Sequence, residues 1–222
     1  MSEVVRMRMG AAALVVMMQI LAASNASAHD SPHGSKPGEK MAAIPADIHV
    51  GSHNGPAAQT LGGSFELVDH TGNTVTERNF RGNWMLIFFG YTGCREACPT
   101  GLVTMTKALE SMGPDADRVQ PLFIDFSPEE PDLKGLAQFV DNFHPRLIGL
   151  TGSRIQISDA IRQFQVRREF KATNYSRKET GRRIDHTTYL YLVDPEGKTR
   201  AYFHHRRAPE EMAASIQRYV RG

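Results

Sequence analysis

Cysteine is scarce in this chain, with two in 222 residues. A domain of this size held by disulfides would need a framework, and one pair cannot supply it. Charge of one sign is also missing. Twenty-six Lys and Arg stand against 24 Asp and Glu, for a net charge of +2. That excludes the broad phosphate-neutralising surface that nucleic-acid binding relies on. Internal repeats are absent. The N-terminal apolar run, Gly10 to Ala23, is about 14 residues, short of the roughly 20 that span a bilayer. What is present is ordinary globular material, 41% hydrophobic and 23% charged, enough for one substantial core plus extensions.

The first 28 residues have the form of an export signal. Arg6 and Arg8 make a positive start, the apolar run follows, and Ala26-Ser27-Ala28 is a small-x-small cleavage site. The expectation is therefore a periplasmic or otherwise extracytoplasmic protein with no stable membrane span. Residues 29–61 read as a flexible linker rich in Gly, Pro, Ser and Ala, carrying His29, His33, His49 and His53. The folded domain is expected over 62–222.

The two cysteines sit together in Cys94-Arg95-Glu96-Ala97-Cys98-Pro99. They follow the apolar run Trp84 to Phe89, which reads as a central strand covered on both faces. They precede a helix expected over Pro99 to Met112, where Leu102, Met105, Leu109 and Met112 recur at helical spacing. At that spacing the methionines read as core. Outside the cytoplasm neighbouring thiols oxidise unless a metal or a reductant holds them. A pair at the mouth of a helix suits a soft metal or a disulfide exchange equally. The spacing places Cys98 at the N-cap, where the helix dipole stabilises a thiolate.

Further elements alternate. Phe65 to Val68 and Thr74 to Thr76 flank a turn and read as a hairpin. Val119 to Phe126 is a second apolar strand, followed by a helix ending near Phe143 and a short strand at Leu147 to Leu150. Ser153-Arg154-Ile155-Gln156 is a capping box opening a helix to about Phe164. Tyr189 to Val193 and Thr199 to Phe203 flank Asp194-Pro195-Glu196-Gly197 as strand, tight turn and strand, and a last helix runs to about Val220. This pattern indicates an α/β domain with helices on both faces of the sheet.

A metal site would need a third ligand. His70, His144, His186, His204 and His205 are the candidates in the folded part, and His186 stands at the start of an expected central strand. Arg162 to Arg183 carries eight Lys and Arg against two Glu. It reads as a solvated loop or as a docking patch for an acidic partner.

Phe88-Phe89-Gly90-Tyr91-Thr92-Gly93-Cys94 through Cys98-Pro99-Thr100 resembles the C-x-x-x-C-P signature of the Sco/SenC proteins. Val119 to Ile124, Phe143-His144-Pro145 with Ile148 to Gly152, and Asp185-His186-Thr187 with Asp194 to Lys198 are similar in the same order. The resemblance implies a thioredoxin-like fold, a central sheet flanked by helices. It implies a site for Cu(I) or Cu(II) made by Cys94, Cys98 and His186. It implies delivery of copper to the binuclear copper centre of cytochrome c oxidase, with that oxidase's copper subunit or a similar cuproprotein as partner and a thioredoxin-like reductant as supplier of thiols. On this reading the protein is a metallochaperone rather than an enzyme. Reduction of a partner's cysteines by the Cys94/Cys98 pair is the alternative. The chain departs from the family's pattern at Gly93 and Arg95-Glu96, and at Ser127-Pro128, where an acidic residue is usual. Asp125, two residues earlier on the same strand face, substitutes for that residue or is a paired buried carboxylate.

Two rival readings lack their signatures. A thioredoxin-type enzyme uses C-x-x-C and a proline beside the disulfide, and Arg183 to Thr188 contains none. A peroxidase of the peroxiredoxin type needs Thr or Ser three residues before its cysteine, where this chain has Arg95.

Overall fold

The computed structural model describes residues 61–127, 130–171 and 183–222. The export signal, almost all of the linker, and the basic stretch from 172 to 182 lie outside the described residues. Among the described residues, nine strands and four α-helices follow in the order β1 (Glu66–Asp69), β2 (Thr74–Thr76), β3 (Trp84–Gly90), α1 (Ala97–Met112), β4 (Val119–Asp125), α2 (Leu133–Val140), β5 (Ile148–Thr151), α3 (Arg154–Gln163), β6 (Arg168–Lys171), β7 (Arg183–His186), β8 (Tyr189–Val193), β9 (Thr199–His204) and α4 (Pro209–Arg221). Among the described residues no helix is long and apolar enough to cross a membrane.

Seven strands form one sheet in the order β2-β1-β5-β4-β3-β8-β9. The centre is parallel, with β3 beside β4 and β4 beside β5. The N-terminal hairpin joins one edge antiparallel through β1 and β5, and β8 and β9 complete the other. β3 is buried at all seven positions, as a strand flanked on both sides and covered on both faces must be. Alternate residues of β3 feed two cores. Trp84, Leu86 and Phe88 pack with α1, α2 and α4 through Leu102, Met105, Leu136, Met212 and Ile216. Met85, Ile87 and Phe89 pack with α3 and the N-terminal segment through Ile157, Ile161, Phe164 and Phe65. Met105 and Met112 are core, 1% and 2% exposed.

Local signals explain the boundaries. Ser153 and Gln156 cap each other reciprocally at the start of α3, as the sequence predicts. Asp194, 2% exposed, ties the β8–β9 turn by accepting the N–H groups of Glu196 and Lys198 at 3.1 and 2.7 Å. Gly113 ends α1 at φ 57°, a conformation that glycine adopts without strain.

Two expectations need correction. α1 begins at Ala97, two residues before Pro99, with Glu96 as N-cap. Proline is tolerated anywhere in the first turn, because those N–H groups have no intrahelical partner. It therefore did not mark the first residue. Second, His186 does not open a central strand. It closes β7, which pairs with β6 in a separate two-stranded ribbon, with Arg168 opposite His186.

Candidate metal centre

β3 ends at Gly90, a position where nothing larger fits. A Cβ on Gly90 would lie 2.7 Å from Cys98 Sγ and 2.8 Å from Phe123 Cε2. After Gly90 the chain turns sharply, and Cys94 N–H donates to the Tyr91 carbonyl at 3.0 Å. This turn sets Cys94 over the open end of α1. Glu96 makes no side-chain cap. The sulfur of Cys94 accepts the Cys98 N–H at 3.3 Å instead, standing where a capping oxygen usually stands.

The two thiols are therefore unequal, and in the opposite sense to the sequence expectation. Cys98 lies inside the first turn, 0% exposed and packed in the core. Its thiol is pushed up by its hydrogen bond to Cys94 and by burial. Cys94 is half-buried, and its thiol is pulled down to about 3 by the hydrogen bond from Cys98, helped by His186 and by the N–H groups of Cys98 and Glu96. The metal-free pair is one thiolate, Cys94, accepting a hydrogen bond from a buried thiol, Cys98. Both cysteines are free, so the reduced pair is what the structure presents.

His186 completes the group. Its Nδ1 is 2.8 Å from the Thr187 carbonyl. A carbonyl only accepts, so Nδ1 carries hydrogen and Nε2 is the ring nitrogen left to offer a lone pair to an ion. Nε2 faces Cys98 Sγ at 3.9 Å. Phe126 and Tyr91 hold the ring edge-on, with centroids at 5.0 and 6.1 Å. The Tyr91 phenol oxygen also accepts the Ile184 N–H at 3.5 Å, tying the cysteine loop to β7. One ion with bonds of about 2.0–2.3 Å to nitrogen and sulfur bridges a gap of this size. Among the described residues no three His, Cys, Asp or Glu side chains stand close enough together to hold an ion as they are, so Cys94, Cys98 and His186 would have to close on it. Two sulfurs with one imidazole make a soft donor set.

Asp125 is 6% exposed, and its carboxylate accepts both the N–H and the hydroxyl of Ser127 at 3.0 and 2.7 Å. It serves as a local turn carboxylate whose charge helps to raise the Cys98 thiol. Two other histidines have structural posts. His70 Nδ1 accepts the Gly149 N–H at 3.0 Å, and His144 Nδ1 accepts the Arg146 N–H at 3.2 Å. Sequence reasoning missed Gly90, Tyr91 and Phe126. A glycine ending a wholly apolar strand four residues before a cysteine was the one available signal.

The SCO1/SenC family model matches residues 53–221. The zebrafish (Danio rerio) mitochondrial SCO2 homolog is 39% identical over 162 residues. That match covers 72% of this chain and 57% of the relative. The chain spans between 53% and 62% of the other eukaryotic relatives it resembles. Among solved structures, Bradyrhizobium japonicum ScoI with copper bound is 37% identical, with a TM-score of 0.64, over 72% of this chain and 99% of that one. Yeast Sco1 with copper bound is 29% identical, with a TM-score of 0.65, over 73% and 90%. The seven-stranded sheet flanked by helices is thus the thioredoxin-like arrangement of these proteins. By the extent of the family match and the shared fold, the chain belongs to the SCO1/SenC family.

Proposed function

We propose that this chain is an extracytoplasmic copper-binding protein that takes up one copper ion through Cys94, Cys98 and His186 and delivers it to the binuclear copper centre of cytochrome c oxidase. The observation that carries the reading is the placement of His186. Its Nε2 faces the buried sulfur at 3.9 Å from a separate ribbon. Disulfide exchange can proceed without an imidazole facing the buried sulfur, whereas a soft ion held at three points needs a third donor. The copper-bound relatives, and the form of residues 1–28, support the same reading.

Each residue has a task. Cys94 is already a thiolate and meets an incoming ion first, since it is the more exposed sulfur. Cys98 gives up its proton as the ion replaces it between the sulfurs, a loss that burial otherwise opposes. His186 closes the third side through Nε2. With three donors from this chain, a further position is left for a recipient's ligand, so exchange does not require the free ion.

One observation favours a second reading. A depressed, accessible thiol beside a buried, raised one is the asymmetry of a disulfide-exchange pair. In that role Cys94 attacks a partner disulfide, Cys98 then displaces the partner, and two electrons and the Cys98 proton pass to the recipient, the second proton coming from water. His186→Ala separates the readings. Offered a reduced, copper-free recipient domain, copper-loaded wild type transfers its ion, and the variant, which keeps Cu(I) on two sulfurs alone, fails to pass it. Offered an oxidised recipient, both reduce it at similar rates. Undiminished copper transfer by His186→Ala would overturn the proposed function.

A further inference from the structure

β9 ends at His204, and His205 begins the turn into α4. The His205 N–H donates to the Thr188 carbonyl at 3.0 Å, two residues past His186. On its other side lies Gly101, one helical turn past Cys98, where a Cβ would come within 3.3 Å of the His205 Cβ. His205 is thus wedged between the start of α1 and the rim that carries His186. It is 6% exposed, and neither ring nitrogen has a hydrogen-bond partner among the described residues. Burying two polar nitrogens unpartnered is costly, and native structures rarely do so without a use for them.

The His204 ring lies beside it, with centroids 4.5 Å apart and planes tilted by 46°. His204 is exposed, and its Nδ1 accepts the Arg206 N–H at 3.3 Å. Burial, with the charges of His204, Arg206 and His186 around it, holds His205 neutral by pulling it down to about 4. A neutral imidazole offers a lone pair. One ring therefore faces solvent and the next lies inside, beside the sulfur centre.

We propose that His204 and His205 form a second metal site, a two-imidazole station for Cu(I) adjoining Cys94, Cys98 and His186. The choice of copper rests on the function proposed above. The valence follows from the donors. Cu(I) is satisfied by two imidazoles, whereas a structural Zn(II) site takes four ligands, and among the described residues no cluster of three His, Cys, Asp or Glu supplies them. To hold one ion, His204 gives up the Arg206 N–H, a long bond at 3.3 Å, and the two rings turn their lone pairs toward each other. The pair then gives the copper a resting point between solvent and the sulfurs, held less tightly than by thiolates.

The test uses the full chain without oxygen, titrated with Cu(I) against the chelator bicinchoninate. Imidazole nitrogen NMR reports which rings respond. The Cys94→Ser/Cys98→Ser protein should keep about one equivalent of Cu(I), held at least ~10-fold more weakly than in wild type, as expected when imidazole replaces thiolate for a soft ion. The His204 and His205 ring signals should shift as it binds. Adding His204→Ala should remove that equivalent, and because His204 is exposed this variant folds. His205→Asn should do the same. Retention of the ion by the His204→Ala and His205→Asn proteins, or titration of the cysteine-free protein without any shift of these rings, would overturn the second site. Equal Cu(I) binding by wild type and the cysteine-free protein would instead overturn the sulfur centre, so the two failures are distinct.

Discussion

Replacing Gly90 by alanine tests how the fold sets the sulfur geometry. The new methyl would meet Cys98 Sγ at 2.7 Å and Phe123 at 2.8 Å. Phe123 cannot yield, being 0% exposed and packed on Phe88 and Phe139 with centroids at 6.4 and 5.2 Å. The strain therefore falls on the first turn of α1. Ordinary contact begins at 3.4 Å, so the sulfur must retreat by about 0.7 Å. Overpacking of this kind costs about 1–3 kcal/mol. In a domain of this size each kcal/mol lowers the melting temperature by about 2–4 °C, so the reduced, metal-free protein should melt roughly 2–12 °C lower. Metal–ligand distances tolerate about ±0.2 Å, and disturbing the groups that orient ligands costs about 10–100-fold in affinity. Cu(I) affinity should fall within that range. Thermal unfolding followed by circular dichroism and a chelator competition measure the two effects. An unchanged melting temperature together with unchanged affinity would refute the claim that β3 ends in glycine to seat Cys98.

The Cys94 thiolate should persist into acid. Its alkylation by iodoacetamide in the reduced protein should therefore stay flat as pH falls from about 9 to about 5. Cys98→Ala, which removes the largest cause of the lowering, should restore a steep pH dependence. Because the folded value lies below the ordinary 9.0, the reduced protein gains stability that is full above that value and is lost as pH falls toward about 3. A denaturant midpoint that rises on acidification from pH 7 to pH 4 in wild type relative to Cys94→Ala would show the sign to be wrong. Tyr91→Phe removes the acceptor of the Ile184 N–H, a long bond at 3.5 Å. Unfolding should cost about 0.5–1 kcal/mol less, with a few-fold loss of copper affinity as β7 loosens, and urea titration with the same competition assay reads both. Glu96 and Arg206 form an exposed pair at 3.1 Å with side chains 82% and 63% exposed. Glu96→Gln should change stability by less than about 0.5 kcal/mol, and a larger change in the urea midpoint would mean that the pair braces the cysteine loop.

The central sheet was legible because its strands are strongly patterned. Trp84 to Phe89 and Val119 to Phe126 are unbroken apolar runs bounded by turn residues, and both are central parallel strands. The ribbon of β6 and β7 was not legible. Arg168 to Lys171 and Arg183 to His186 show no apolar alternation, and their pairing is fixed by partners distant in sequence rather than by their own pattern. The family resemblance identified the three candidate ligands, but not which sulfur ionises. That depends on a two-residue shift in the start of α1, which Pro99 masks and only the backbone geometry reveals. His205 looked like one histidine among five. Its burial and its unpartnered nitrogens are consequences of packing against Gly101 that no spacing rule carries.

The central claim is the composition of the ion's surroundings. X-ray absorption at the copper edge, on the full chain loaded with less than one equivalent of Cu(I), reads it directly. The account predicts about two sulfur neighbours and one nitrogen, the nitrogen disappearing in His186→Ala while both sulfurs stay. A spectrum of nitrogen neighbours alone, or one unchanged by His186→Ala, would contradict it.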